Sequence, residues 1–119
     1  MVSDEGREKA KSPEDIPRLF RQFVAAGDFA GLATLYELDA VLALPAGRQT
    51  RGNEAIAEVF RQVFAKRPAG GSGGALQPVL HCGDLALTST RLADGRVTAE
   101  IARQQGDGSW RWVIDQPSV

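Results

Sequence analysis

The stretch from Leu35 to Phe64 restricts the fold more than any other part of the chain. Leu35 and Tyr36 close a helical pattern and Asp39 stops it. Ala40 to Leu44 then runs apolar, Pro45-Ala46-Gly47 turns the chain into a short arm, and an apolar-striped helix follows Asn53. A strand that is apolar on both sides must be covered on both, so helix has to lie on one face of its sheet. The helix after Asn53 carries Ile56, Val59, Phe60, Val63 and Phe64 on one stripe, with Asn53 predicted as its cap. Lys66 and Arg67 suit the dipole at its end, and Pro68 closes it.

Upstream, Ile16, Leu19, Phe20, Phe23 and Val24 form a first amphipathic stripe, with Asp15 expected to cap it and Pro17 in the first turn. Gly27 ends that helix, and Asp28 caps a second one carrying Phe29, Leu32, Leu35 and Tyr36. Residues 1–11 are mostly charged or small and are expected to form a disordered, solvated tail, leaving 12–119 as a single folded domain. After the third helix, Ala69 to Ala75 has the composition of a flexible linker. No Lys-Ser or Lys-Thr follows it to make a phosphate loop. Four strand-like runs come next: Leu76–Cys82, Leu85–Leu92, Arg96–Gln104 and Trp110–Asp115. They are separated by Gly83-Asp84, Asp94-Gly95 and Asp107-Gly108, which is hairpin chemistry. Helices first and an antiparallel meander last is an α+β arrangement.

A length of 119 residues suits one domain. The net charge of -1, without a basic block, argues against a nucleic-acid partner. No apolar run approaches the roughly 20 residues that span a bilayer, and the first residues lack the apolar middle of a signal peptide. The lone Cys82 fits a reducing compartment, so the expectation is a soluble cytoplasmic protein without a membrane partner.

Three pieces, in order, resemble one known superfamily. They are Ala26-Gly27-Asp28 with Leu35-Tyr36 and Asp39-Ala40-Val41; Arg51-Gly52-Asn53-Glu54-Ala55-Ile56; and Asp107-Gly108-Ser109-Trp110-Arg111-Trp112-Val113-Ile114-Asp115. The resemblance is to the SnoaL-like, nuclear transport factor 2-like (ketosteroid isomerase-like) superfamily. It implies a cone-shaped, cystatin-like fold: a curved antiparallel sheet of four to six strands wrapped around about three N-terminal helices, with a pocket inside. The fold hosts isomerases, cyclases, epoxide hydrolases and non-catalytic proteins, so it does not fix a reaction. In the ketosteroid isomerase-like branch a tyrosine, a strand carboxylate and a second acid do the work. Counting along this chain puts Phe20, Leu44 and Glu100 at those places, so only the second acid is kept.

Two acids stand in strands otherwise poor in carboxylates and are the candidate catalytic residues. Glu100 is the lone charge in Val97–Ala102. It is either a desolvated acid or base, or an edge carboxylate paired with Arg103 or Arg96. Asp115 falls by alternation on the face of Arg111 and Val113, opposite Trp110, Trp112 and Ile114. It is a second acid at the pocket mouth or a strand-end residue. Phe20, Tyr36, Leu44, Phe60, Trp112 and His81 are the candidate ligand-binding residues. The other reading of the tryptophans is a core or dimer interface, and that of Tyr36 is helix–sheet packing with its hydroxyl near the surface. His81 and Cys82 are strand neighbours pointing to opposite faces. With no second His or Cys, no zinc site is expected, and no organic cofactor. The functional expectation is a protein that binds a hydrophobic small molecule as an acid–base isomerase, cyclase or epoxide hydrolase. The alternative is a non-catalytic binding or dimerisation module. A homodimer through the outer sheet face is expected in either case.

Overall fold

The computed structural model describes residues 6–66 and 74–117. Along the chain lie α1 (Asp15–Ala26), α2 (Phe29–Ala33), β1 (Tyr36–Ala43), β2 (Gln49–Arg51), α3 (Asn53–Lys66), β3 (Ala75–Leu76), β4 (Leu80–Cys82), β5 (Leu85–Thr88), β6 (Thr90–Arg91), β7 (Ala99–Gln104) and β8 (Trp110–Gln116). Most of the expected glycine linker, and Pro68, lie outside the described residues.

The punctuation works as the sequence suggests. Gly27 takes φ +68°, and the amides of Gly27 and Asp28 donate to the carbonyls of Val24 and Phe23, closing α1. Asp28 accepts the Gly31 amide at 2.9 Å and so caps α2. Asp15 does not cap α1: it is the first helical residue, and its carboxylate accepts the amide of Lys11 at 3.0 Å. The Asn53 side-chain amide donates to the carbonyl of Ala33, tying α3 to the end of α2.

Residues 6–11 depart from the disordered tail expected there. Arg7 holds both carboxylate oxygens of Asp28 at 2.9 Å, and Lys9 pairs with Asp107 at 2.9 Å. The Ala10 carbonyl accepts the Trp110 amide at 2.9 Å, and Ala10 is 2% exposed. The segment is seated by charge pairs and one backbone bond, not by the large apolar side chains whose absence suggested a tail.

Helix α2 ends earlier than its apolar stripe. The Trp112 amide donates to the Leu35 carbonyl at 2.7 Å, and Tyr36 pairs with Trp112. The chain is thereby drawn into the sheet at Tyr36, four residues before the expected strand, and Asp39 lies exposed within β1, not at a corner. Of the expected apolar run, Ala40 and Leu42 are buried, whereas Val41 and Ala43 are half-buried.

The six-stranded sheet has the order β2-β1-β8-β7-β5-β4, and β3 pairs separately with β6. All pairs are antiparallel except β1 with β8, which run parallel, so the sheet is mixed. Two long strand runs are broken, at Gln77–Val79 and at Ser89, and β8 carries an extra residue opposite β7 between Trp112 and Ile114. Such breaks bend a sheet. The helices lie in its hollow, where Ile16, Leu19, Leu32, Tyr36, Leu42 and Ile56 are almost wholly buried. Among the described residues no helix is long and apolar enough to cross a membrane.

Candidate functional site

The inner face of the sheet is organised as two neighbouring transverse rows. One runs Thr88, Glu100, Asp115, Leu42 across β5, β7, β8 and β1; the next runs Ala86, Ala102, Trp112, Tyr36. Simple alternation along β8 cannot put Trp112 and Asp115 on one face. The extra residue does so: Ala102 pairs with Trp112 and Ile101 with Ile114, leaving Val113 without a partner in β7. Asp115 is therefore turned inward, 5% exposed, and Ile114 outward, 48% exposed. The expectation that Asp115 shares a face with Arg111 and Val113 is overturned by this bulge.

Glu100 is 5% exposed and stands directly opposite Asp115 in the ladder, where Cβ atoms are about 5 Å apart. The alternative of an edge carboxylate paired with arginine fails, because Arg103 binds Glu37 and Arg96 binds Asp94. The partners of Glu100 are hydroxyls. Thr88 donates to its Oε1 at 2.6 Å while accepting the indole N–H of Trp112 at 3.2 Å, so the Thr88 hydrogen is directed at the carboxyl. To reach Thr88 from β8 the indole must cross β7, where its register partner is the small Ala102. Asp115 receives the Tyr36 hydroxyl on Oδ2 at 2.5 Å.

Burial raises the pKa of Glu100, opposed by the hydroxyls of Thr88 and Thr98. Burial also raises Asp115, opposed by the Tyr36 hydroxyl and reinforced by the neighbouring Glu100 charge, so that it is pushed up to about 7. The Tyr36 phenol is held well above its ordinary value, first by burial and then by Asp115, and stays a neutral donor. Two carboxyls in one dry site cannot both ionise easily. Asp115, pushed up to about 7, keeps its proton toward neutrality, and burial moves Glu100 in the same direction.

Over the acids lies a cavity of about 230 Å³. Phe20 and Arg21 of α1 and Phe60 of α3 line it from above, with Trp112, Glu100 and Asp115 below and Leu92 and Pro117 at the side. Phe20 meets Phe60 edge-on, with ring centroids 5.1 Å apart, and lies 6.0 Å from Trp112. The wall is aromatic and the floor acidic.

Of the residues singled out from sequence, Glu100, Asp115, Phe20, Phe60 and Trp112 therefore meet at one void. Tyr36 stands behind the wall, fully buried on Asp115, instead of presenting its hydroxyl near the surface. Leu44 packs against the core but is not among the residues lining this cavity. His81 is exposed on β4 with its ring edge-on to Trp110 at 5.8 Å, and also lies away from it. Sequence reasoning passed over Thr88 and Arg21. Thr88 was findable, since it shares strand parity with Ala86; Arg21 on its helix looks like any solvated arginine. Among the described residues no three His, Cys, Asp or Glu side chains converge as metal ligands would.

Comparison with known proteins places this geometry. Several solved structures share the fold at low identity. A candidate ketosteroid isomerase from Shewanella frigidimarina aligns at 13% identity and TM-score 0.66, covering 86% of this chain and 90% of that one. A SnoaL-like protein of unknown function from Burkholderia thailandensis aligns at 18% identity and TM-score 0.62, covering 89% and 93%. A candidate calcium/calmodulin-dependent protein kinase type II association domain from Thiobacillus denitrificans aligns at 17% identity and TM-score 0.66, covering 92% and 96%. No curated protein matches at a significant level. The SnoaL-like domain matches residues 17–115, which include both acids and the bulge, and the chain belongs to that family.

Proposed function

We propose that this protein binds a small hydrophobic carbonyl compound and moves a proton on it, using Glu100 as base and Asp115 as acid. The observation that carries the reading is the placing of the two carboxyls opposite each other beneath an aromatic-walled cavity. In the singly protonated pair, Glu100 takes a proton from a carbon next to the carbonyl while the Asp115 proton hydrogen-bonds the oxygen, where the negative charge develops. Return of the proton to a different carbon is an isomerisation; return to the same carbon is exchange. Tyr36 steadies Asp115, and the Trp112–Thr88 chain steadies Glu100. The cavity is below the about 300 Å³ at which drug-sized pockets begin, so a compact, monocyclic ligand suits it. The exposed thiol of Cys82 suits a reducing cytoplasm.

The test is deuterium incorporation from heavy water into a cyclic enone, followed by proton NMR. Wild-type protein is expected to accelerate exchange, and Glu100→Gln to lower the rate by about a hundredfold or more. A rate unaffected by Glu100→Gln and Asp115→Asn would remove the acids from any mechanism. The non-catalytic binding module would then be the better description.

A further inference from the structure

Among the described residues the cavity lining contains one cation, Arg21, and no carboxylate pairs with it. Arg21 is exposed on α1 beside Phe20 and reaches the void from the helical side. Its helical neighbours at three and four residues are Pro17, Arg18, Val24 and Ala25, none of them acidic. Arg7, Arg18, Arg61, Arg96 and Arg103 each hold a carboxylate, whereas Arg21 makes no ion pair among the described residues. The remainder of the wall is apolar or hydroxyl, apart from Glu100 and Asp115 on the floor.

We infer that the ligand is a small keto acid, whose apolar ring or branched body fills the aromatic part of the cavity and whose carboxylate is held at the rim by Arg21. The orientation follows from charge. Two carboxyls line the floor and disfavour a third beside them, so the carboxylate stays at the arginine end and the carbonyl is directed down to the acids. Guanidinium suits this task because its planar donors match a carboxylate in two-point fashion. The assignment deepens the proton-transfer reading by naming its substrate class, and it rests on the carbonyl of that reading lying at the floor.

Binding separates the two ideas. The probes are a cyclohexanone carboxylate and the matching carboxamide, titrated into nitrogen-15-labelled protein while the Trp112 indole signal is followed. The carboxylate is expected to bind about fivefold tighter than the carboxamide, as a partly exposed ion pair allows. Arg21→Gln is expected to equalise the two by weakening only the carboxylate, and Arg21→Glu to make the carboxamide the tighter ligand. Because Arg21 is exposed, neither change should alter the melting temperature. Equal affinities in the wild type, a preference that survives Arg21→Gln, or no binding of either probe would overturn the assignment. Failure of the catalytic reading shows elsewhere, as an exchange rate indifferent to Glu100→Gln whatever the affinity ratio.

Discussion

A carboxyl group moved from water to the inner face of this sheet loses hydration that one phenol hydroxyl replaces only in part. Asp115 therefore binds its proton more tightly in the folded chain than in the unfolded one, with its pKa pushed up to about 7 from an ordinary value near 3.8. Between roughly pH 4 and roughly pH 7 the folded state holds the extra proton, so stability falls as pH rises through that window. Glu100 acts in the same direction. The melting temperature is expected to decline from about pH 5 to about pH 8 in the wild type and to decline less in Asp115→Asn, which keeps an acceptor for Tyr36 and has no charge to bury. Thermal melts across pH check this, and a wild-type curve that rises instead would contradict it. Tyr36→Phe removes a donor that favours the ionised form of Asp115. It is expected to cost about 1–2 kcal/mol above neutral pH and less near about pH 5, where Asp115 is already neutral. An equal loss at both ends would assign Tyr36 to packing alone.

Among the elements, β8 decides whether there is a site at all. Alternation along Trp110–Asp115 read correctly that both tryptophans share a face but put Asp115 on the other, because one unpaired residue, Val113, resets the parity halfway along. Nothing in Trp-Arg-Trp-Val-Ile-Asp marks a bulge locally; it arises from pairing with β7, a contact between strands. Thr88 and Glu100, on strands that carry no inserted residue themselves, follow plain alternation. Helix ends were legible where a side chain or glycine acts on its own neighbours, as at Gly27 and Asp28. They were not where the sheet intervenes, as at Tyr36, which left its helical stripe to pair with Trp112. Deleting Val113 is expected to leave a regular ladder in which Trp112, Ile114 and Asp115 keep Ala102, Ile101 and Glu100 as partners, so that Asp115 stays inward and its titration stays above the ordinary carboxylate range near about 4. Carbon NMR of the side-chain carboxyl reads this directly. A midpoint returned to the ordinary carboxylate range in the deletion variant would show that the single extra residue is not what sets the facing of the acid.

At the scale of the whole molecule, the bulge that turns Asp115 in also turns Ile114 out, into a row across five strands: Leu80, Leu87, Ile101, Ile114 and Val41. Leu80 and Ile114 are 63% and 48% exposed. We propose that this face meets the same face of a second copy, the arrangement a two-fold axis produces from one self-complementary patch. Ile114→Lys is expected to yield monomers in sedimentation velocity without loss of the folded monomer's spectrum; a wild-type protein that is monomeric at high concentration would contradict it. The cone itself was readable from the order of helices, turns and strands. The parallel junction of β1 with β8 was not, because it joins chain segments far apart in sequence. The account stands on Asp115 keeping its proton toward neutrality opposite Glu100. Carbon-13 titration of the two side-chain carboxyls measures that most directly: the expected result is one midpoint near 7, with each signal responding to the other's ionisation, whereas two independent midpoints near about 4 would contradict it.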